Sequence, residues 1–233
     1  MPRRKEWEIM PKAFSEEFRA DVVALARKRE APMRQIAKDF GISESCLHRW
    51  MRQASIDEGE VEGLSSTERD ELNEAEQENI LRARQARRSP TLEALLDDKY
   101  LRDLHRAMFG DVWKWAGQYR QLEMSIGIDP AQIAVRVRDL VSDAKMWAQH
   151  EEPLSAVVRF HHRLVWIHPF PNGNGRHGRQ AADYFIEALG EPTLTWGALR
   201  GNRNIDQVRQ DYLAALRAAD RGDFGTLEDF VVT

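Results

Sequence analysis

The stretch Ile167–Arg179, IHPFPNGNGRHGR, is the densest piece of chemistry in this 233-residue chain. It follows an apolar run, LSAVVRFHHRLVWI (154–167), and opens an amphipathic one, GRHGRQAADYFIEALG (175–190) closed by Gly190, so it reads as a loop between two helices. A histidine on such a loop, followed by glycines that open a helix, gathers backbone N–H groups and the positive end of a helix dipole at one point. That point is an anion site. Gly173 and Gly175 let the backbone approach a phosphate with no Cβ in the way. Arg176 and Arg179 lie one helical turn apart, so both can reach the same polyphosphate, and the planar guanidinium fork suits phosphate oxygens. The constellation reads as a nucleotide polyphosphate site with His168 as general base.

Working outward, the chain from about residue 66 reads as one helix after another. Residues 67–88 are charged and helix-forming, and LEALLDDKYLRDLHRAMFG (92–110) gives one or two amphipathic helices. Ile133, Val137, Leu140, Ala144 and Trp147 mark a core-facing helix, and IDQVRQDYLAALRAAD (205–220) makes another. The one hairpin candidate is YRQLEMSIGI, 119–128. The expected fold class is all-α, a helical bundle with a small β-hairpin flap, preceded by a small three-helix domain.

That smaller domain is legible at the other end. SEEFRADVVALARKR (15–29) places Phe18, Val22 and Leu25 at helical spacing behind an N-capping Ser15. In PMRQIAKDFGISESCLHRWMRQ (32–53), Met33, Ile36, Ala37 and Phe40 form one apolar stripe, Gly41 makes the turn, and Ser43 caps a helix buried through Leu47 and Trp50. Two short helices around a glycine turn form a helix-turn-helix, with a plain packing bundle as the alternative. Ser45, His48, Arg49 and Arg52 supply the polar, basic exposed face that a DNA groove requires.

Composition divides the chain in the same way. Residues 1–54 hold 12 Lys/Arg against 8 Asp/Glu, whereas residues 55–80 hold 10 acids against Arg69 alone, although the whole chain carries a net charge of only −4. The acidic, glycine-containing segment QASIDEGEVEGLSS (53–66) reads as a linker, and the expected domains are 1–58 and 59–233. No apolar run reaches the roughly 18 residues of a membrane span, and a single cysteine, Cys46, suits a reducing compartment, so a cytoplasmic protein is expected. His161, His162, His168 and His177 lack the spacing of a helical zinc pair and read as core or supporting residues.

Two family resemblances rest on these residues. FSEEFRADVVALARKREAPMRQIAKDFGISESCLHRWMRQ (14–53) resembles the helix-turn-helix of insertion-sequence transposases, which implies DNA binding. HPFPNGNGRHGR (168–179) resembles the signature of Fic-domain proteins, His-x-Phe-x-(Asp/Glu)-Gly-Asn-Gly-Arg-x-x-Arg, at seven of its eight fixed positions. With VWKWAGQYR (112–120), RFHHRLVWIHPFPNGNGRHGR (159–179) and DLHRAMFGDVWKWAG (103–117), the chain is similar to the branch called mobile mystery protein B. The resemblance implies a protein adenylyltransferase: ATP as substrate, Mg²⁺, and AMP transferred to a Ser, Thr or Tyr hydroxyl of a target protein. It implies His168 as base, Phe170 as anchor, and Gly173, Asn174 and Gly175 as anion hole. Arg176 would hold the β-phosphate region and Arg179 the γ-phosphate. Leu122, Glu123, Met124, Ser125, Ile126 and Gly127 would form a flap that aligns the target by strand-like pairing.

The departure is Asn172, where family members carry the acid that holds Mg²⁺. A neutral amide oxygen can still ligate the ion, with more of the burden on phosphates and water. Three outcomes stay open: slow AMP transfer, another transfer such as phosphorylation, or nucleotide binding without catalysis, the last as part of a DNA-binding regulator. The resemblance also implies an inhibitory (Ser/Thr)-x-x-x-Glu-(Gly/Asn) helix, whose glutamate pairs with the second motif arginine. Glu58, Glu62 and Glu78 are followed by Gly or Asn, but Ala54, Glu58 and Glu74 precede them by four, so the motif is absent. Glu78 is the nearest substitute and reads as an ordinary solvated residue. Restraint is then expected from a separate partner, as in toxin–antitoxin pairs.

Overall fold

The computed structural model describes residues 14–29, 31–86, 90–199 and 205–233, and divides into two compact units, Met1–Asn73 and Glu74–Thr233. Among the described residues there is no β-strand, and no helix is long and apolar enough to cross a membrane.

In the first unit, α1 (Glu16–Arg27), α2 (Met33–Asp39) and α3 (Glu44–Asp57) close around Val22, Ala26, Ile36, Ala37 and Leu47. Local chemistry starts α1 and α3 where the sequence predicts. The hydroxyls of Ser15 and Ser43 accept from Phe18 N–H and Cys46 N–H, which satisfies one otherwise unpaired donor per helix. Between α2 and α3, Gly41 takes φ +66°, the left-handed conformation that ends a helix at low cost in glycine. Beyond α3, Ser65 and Glu68 exchange backbone-to-side-chain bonds in a capping box, and α4 (Ser66–Ala86) begins. The expected helix over 67–88 is therefore present, its last two residues lying outside those described.

The second unit is built around α8 (Pro153–Ile167) and α9 (Asn174–Ala188). Ten residues of α9 are buried, from Asn174 to Ile186, so this helix is covered on nearly every side and forms the axis of the bundle. α7 (Ile133–His150) buries Ile133, Val137, Leu140 and Ala144 of the predicted stripe, with Trp147 half-buried against the core. α6 (Asp98–Phe109), entered through the four-residue α5 (Leu92–Leu95), contributes Leu101, Leu104, His105, Met108 and Phe109. A second cluster joins α10 (Ile205–Ala219) to α11 (Gly225–Val231) through Tyr212, Leu227 and Phe230; the sequence reading did not anticipate α11.

The expected hairpin at 119–128 is not a β-ladder. The segment is an irregular loop, and the reason is Arg120, which is 3% exposed. Its guanidinium donates to the carbonyls of Leu122 and Ile128, and so occupies carbonyls that a ladder would use. A side chain staples the two ends instead.

Candidate functional site

The motif loop is shaped before any ligand enters. α8 ends at His168, which sits at φ 53° and ψ 60° and is thereby turned out of the helix axis. A non-glycine residue in this region is uncommon and carries strain of order 1–3 kcal/mol, which the surroundings must hold in place. They do so from two sides. Arg120 Nε donates to His168 O at 2.8 Å and Arg120 N–H to Pro169 O at 2.9 Å, while Ile128 N–H reaches Ile167 O. Gly127, at φ +92°, lies so close that a Cβ there would stand 2.6 Å from His168 Cβ. The loop 121–127 therefore meets His168 at Gly127, and all of its residues are exposed, Leu122, Met124 and Ile126 with large apolar side chains.

Below His168, Phe170 is buried as expected and stacks on the His105 ring at 3.8 Å. Asn174 clasps the backbone of Phe170: its Oδ1 accepts from Phe170 N–H at 2.9 Å and its Nδ2 donates to Phe170 O at 2.7 Å. This side chain is thus engaged inside the loop, and what Asn174 can offer an anion is its backbone N–H at the first position of α9. Gly173 precedes it at φ +78°, and a Cβ there would meet the Phe109 ring at 2.7 Å, so both conformation and space require glycine. Gly175 has open space where a Cβ would be, the exposed approach that an anion site needs.

Electrostatics favour the neutral form of the His168 imidazole. Burial holds the His168 imidazole below its ordinary value, Arg120 pushes in the same direction, and a hydrogen bond to the Val165 backbone opposes them. His105 and His177 are fully buried and pushed down to about 3 and about 4, chiefly by desolvation. His105 Nε2 bonds the Asn172 carbonyl while Gly117 N–H donates to Nδ1, a pair that one neutral tautomer satisfies. His177 Nε2 bonds Leu101 O, and His161 Nε2 bonds the Tyr212 hydroxyl. Of these, His105 and His177 pack against Phe170 of the loop.

Asn172 is exposed and its Oδ1 already accepts from Gly173 N–H at 2.7 Å. One neutral oxygen with a remaining lone pair fits a Mg²⁺ ion only as a minor ligand, and among the described residues no group of three acids, histidines or cysteines gathers to hold a metal.

The two arginines project from the first turns of α9 but meet different partners. Arg179 lies over the Tyr212 ring at 5.6 Å. Arg176 lies over the Phe109 ring at 4.9 Å and forms an ion pair, at 2.5 Å, with Glu76 of α4. Glu76 is 3% exposed and also accepts from the indole of Trp113. Glu78, the substitute that the sequence suggested, is exposed and pairs with Arg82, as an ordinary surface residue would. The sequence reading missed Glu76, Trp113 and Tyr212. One signal was available: Glu76, Asn79 and Ala83 share a helical face, the buried face of α4, and carboxylates on such a face need a partner.

On α3 the predicted Ser45, His48, Arg49 and Arg52 are all exposed and recur at helical spacing on one face, opposite the buried Leu47.

Comparison with known proteins agrees with this geometry. The Fic/DOC family profile matches residues 95–186, and a profile described as Transposase matches residues 10–86. The chain is 26% identical over 141 residues to the protein adenylyltransferase fic-1 of Caenorhabditis elegans, covering 56% of this chain and 25% of that protein. It thus spans about a quarter of that curated relative. A single-substitution fragment of Fic-1 from the same organism shares the fold at a TM-score of 0.57, with 19% identity over 93% of this chain and 71% of that one. BepC of Bartonella tribocorum, solved with bound AMPPNP, gives 0.54 with 16% identity, over 70% and 85%. Residues 95–186, which include His168, the glycine loop and both arginines, form a Fic/DOC-family domain, preceded by a transposase-type helix-turn-helix.

Proposed function

We propose that the second unit transfers AMP from ATP to a Ser, Thr or Tyr hydroxyl of a target protein. The observation that carries this reading is the left-handed turn at His168, which takes the chain out of α8 into the glycine loop that opens α9, with Arg176 and Arg179 on the first turns of that helix. His168 takes the hydroxyl proton, the oxygen bonds to the α-phosphorus, the bond from that phosphorus to the bridging oxygen breaks, and pyrophosphate leaves. Backbone N–H groups at Asn174 and Gly175 face the phosphates, joined by that of Gly173 once it leaves the Asn172 side chain, while Arg176 holds the β-phosphate and Arg179 the γ-phosphate, so catalysis is positioning and charge neutralisation. A bound Mg²⁺, with Asn172 as its one neutral protein oxygen, would add charge neutralisation at the phosphates. The exposed backbone and apolar side chains of 122–127 suit an extended target segment. The adenylyltransferase name of the curated relative and the AMPPNP-bound neighbour support the substrate class.

In this state Arg176 is engaged by Glu76, so nucleotide must displace a carboxylate of the same chain. Restraint therefore has a source within the chain besides any separate antitoxin. The first unit reads as a DNA-binding module presenting Ser45, His48, Arg49 and Arg52 to a groove. The second reading, a silent nucleotide-binding regulator, is favoured by Asn172 alone.

The test is incubation with cell lysate and ATP labelled separately at the α- and γ-phosphate, using the parent chain, His168→Ala and Asn172→Asp. Alpha-label that disappears in His168→Ala and rises in Asn172→Asp is the expected outcome. Gamma-label alone would replace AMP transfer by phosphorylation, and no label from any form would leave the regulator.

A further inference from the structure

The dipeptide Asn-Gly occurs twice in the chain, at 172–173 and 174–175, and the fold treats the two copies differently. Asn174 is 4% exposed and opens α9, and both polar atoms of its carboxamide are spent on the Phe170 backbone. Asn172 is exposed, and its carboxamide is turned toward the next residue: Oδ1 accepts from Gly173 N–H at 2.7 Å. Gly173 has no Cβ to hinder a bond between that nitrogen and the carboxamide carbon.

The same peptide group is polarised from its other end. His105 Nε2 lies 3.0 Å from Asn172 O, and Gly117 N–H donates to His105 Nδ1 at 3.0 Å. Burial keeps the ring neutral, so its one proton sits on Nε2 and is given to the carbonyl. Peptide resonance joins that carbonyl oxygen to the Gly173 nitrogen. A donor on the oxygen stabilises the negative charge left when the nitrogen gives up its proton. His105 is itself held in place, stacked on the Phe170 ring at 3.8 Å.

We propose that Asn172 is a self-modification site, at which the Gly173 nitrogen attacks the carboxamide and the asparagine becomes an aspartate, while Asn174 stays an amide. Gly173 N–H loses its proton, the nitrogen bonds to Asn172 Cγ, the Cγ–Nδ2 bond breaks, and Nδ2 takes up a proton and leaves as ammonia. Water opens the resulting succinimide at Cγ to give aspartate, or at the Asn172 carbonyl carbon to give an isoaspartyl link. The sum is asparagine and water to aspartate and ammonia, with no cofactor and no second enzyme. A neutral side chain next to the N-terminus of α9 thereby becomes an anion. Closure at Asn174 requires its carboxamide to leave Phe170 and the first turn of α9 to open.

The experiment follows both sites by peptide mass spectrometry in the full chain, aged in neutral buffer either folded or in urea, with fragmentation that separates aspartate from isoaspartate. In the folded chain Asn172 is expected to convert at least about tenfold faster than Asn174, whose closure waits on local opening, and in urea the two rates should come together. His105→Phe keeps a ring against Phe170 and removes the donor. With an unchanged circular dichroism spectrum, it is expected to slow conversion at Asn172 about threefold to tenfold, the worth of one hydrogen bond. A residue that only packed the loop would do the reverse, because a looser loop closes the ring sooner. An amide retained at 172 in the folded chain while urea converts it, equal rates at 172 and 174 in the folded chain, or His105→Phe at or above the parent rate overturns the proposal.

A last arm rests on the proposed function, under which the aspartate is a charged Mg²⁺ ligand where Asn172 is a neutral one. AMPPNP titrated into the aged chain should then bind more tightly with Mg²⁺ than without. Aged Asn172→Gln, whose longer side chain does not close a succinimide, should not develop that difference. Conversion without the difference keeps the modification site and removes the metal reading instead.

Discussion

His168 shows how much one residue's backbone decides. Its left-handed φ separates the imidazole from α8, and the contacts of Arg120 and Gly127 hold that strained turn closed. Burial lowers its pKa, so the base form persists as pH falls through the ordinary histidine value. The break in a rate–pH profile of AMP transfer should therefore lie below the ordinary histidine value of about 6.5; a break at 6.5 or above would mean that the titrating group is another one. Gly173 makes the complementary case. Alanine there meets both a positive φ and the Phe109 ring, so Gly173→Ala should cost about 1–3 kcal/mol in urea denaturation and abolish phosphate binding.

At the scale of the element, the loop 121–127 is held by one arginine rather than by strand pairing. Four bonds from Arg120, to Leu122, Ile128, His168 and Pro169, tie the loop ends to the motif. Arg120→Ala removes the three guanidinium bonds, to Leu122, Ile128 and His168, and keeps the backbone bond to Pro169; each carbonyl left buried without a donor costs about 1–3 kcal/mol. Amide hydrogen exchange over 121–128 should rise by at least about tenfold in the variant while α8 and α9 keep their protection. If exchange rises evenly over the second unit, Arg120 is a core residue and not a local staple. α4 is the other element whose role came from packing. Its charged composition reads as a solvated helix, yet the face bearing Glu76, Asn79 and Ala83 is buried.

For the molecule as a whole, buried titratable groups set the response to acid. His105, His161 and His177 are held neutral in the folded state, at about 3, about 3 and about 4, by burial above all. Their unfolded values lie near 6.5, so the unfolded chain binds more protons and stability is lost as pH falls from about 6.5 toward 4. Asp183 works the other way: burial raises it to about 6, its contribution is present below its unfolded value and is lost as pH rises through 6, so it offsets part of the loss. The histidines outnumber it. Urea denaturation at pH 7, 5.5 and 4.5 should show a fall on the order of several kcal/mol, and a flat profile would mean that these rings take up protons without unfolding.

By itself the sequence determined the helical class, the caps at Ser15 and Ser43, the stripe from Ile133 to Ala144, the glycine loop and the arginine pair on α9. Each of these is a local property, fixed by periodicity, by a side chain reaching its own backbone, or by a φ that only glycine takes easily. Only the tertiary structure decided that Asn174 clasps Phe170, that Arg120 replaces the ladder of a hairpin, and that Glu76, a hundred residues before Arg176 in the chain, is its partner. Those choices are made by pairing buried polar groups across long separations in sequence, and spacing along the chain does not say which partner a buried charge will find.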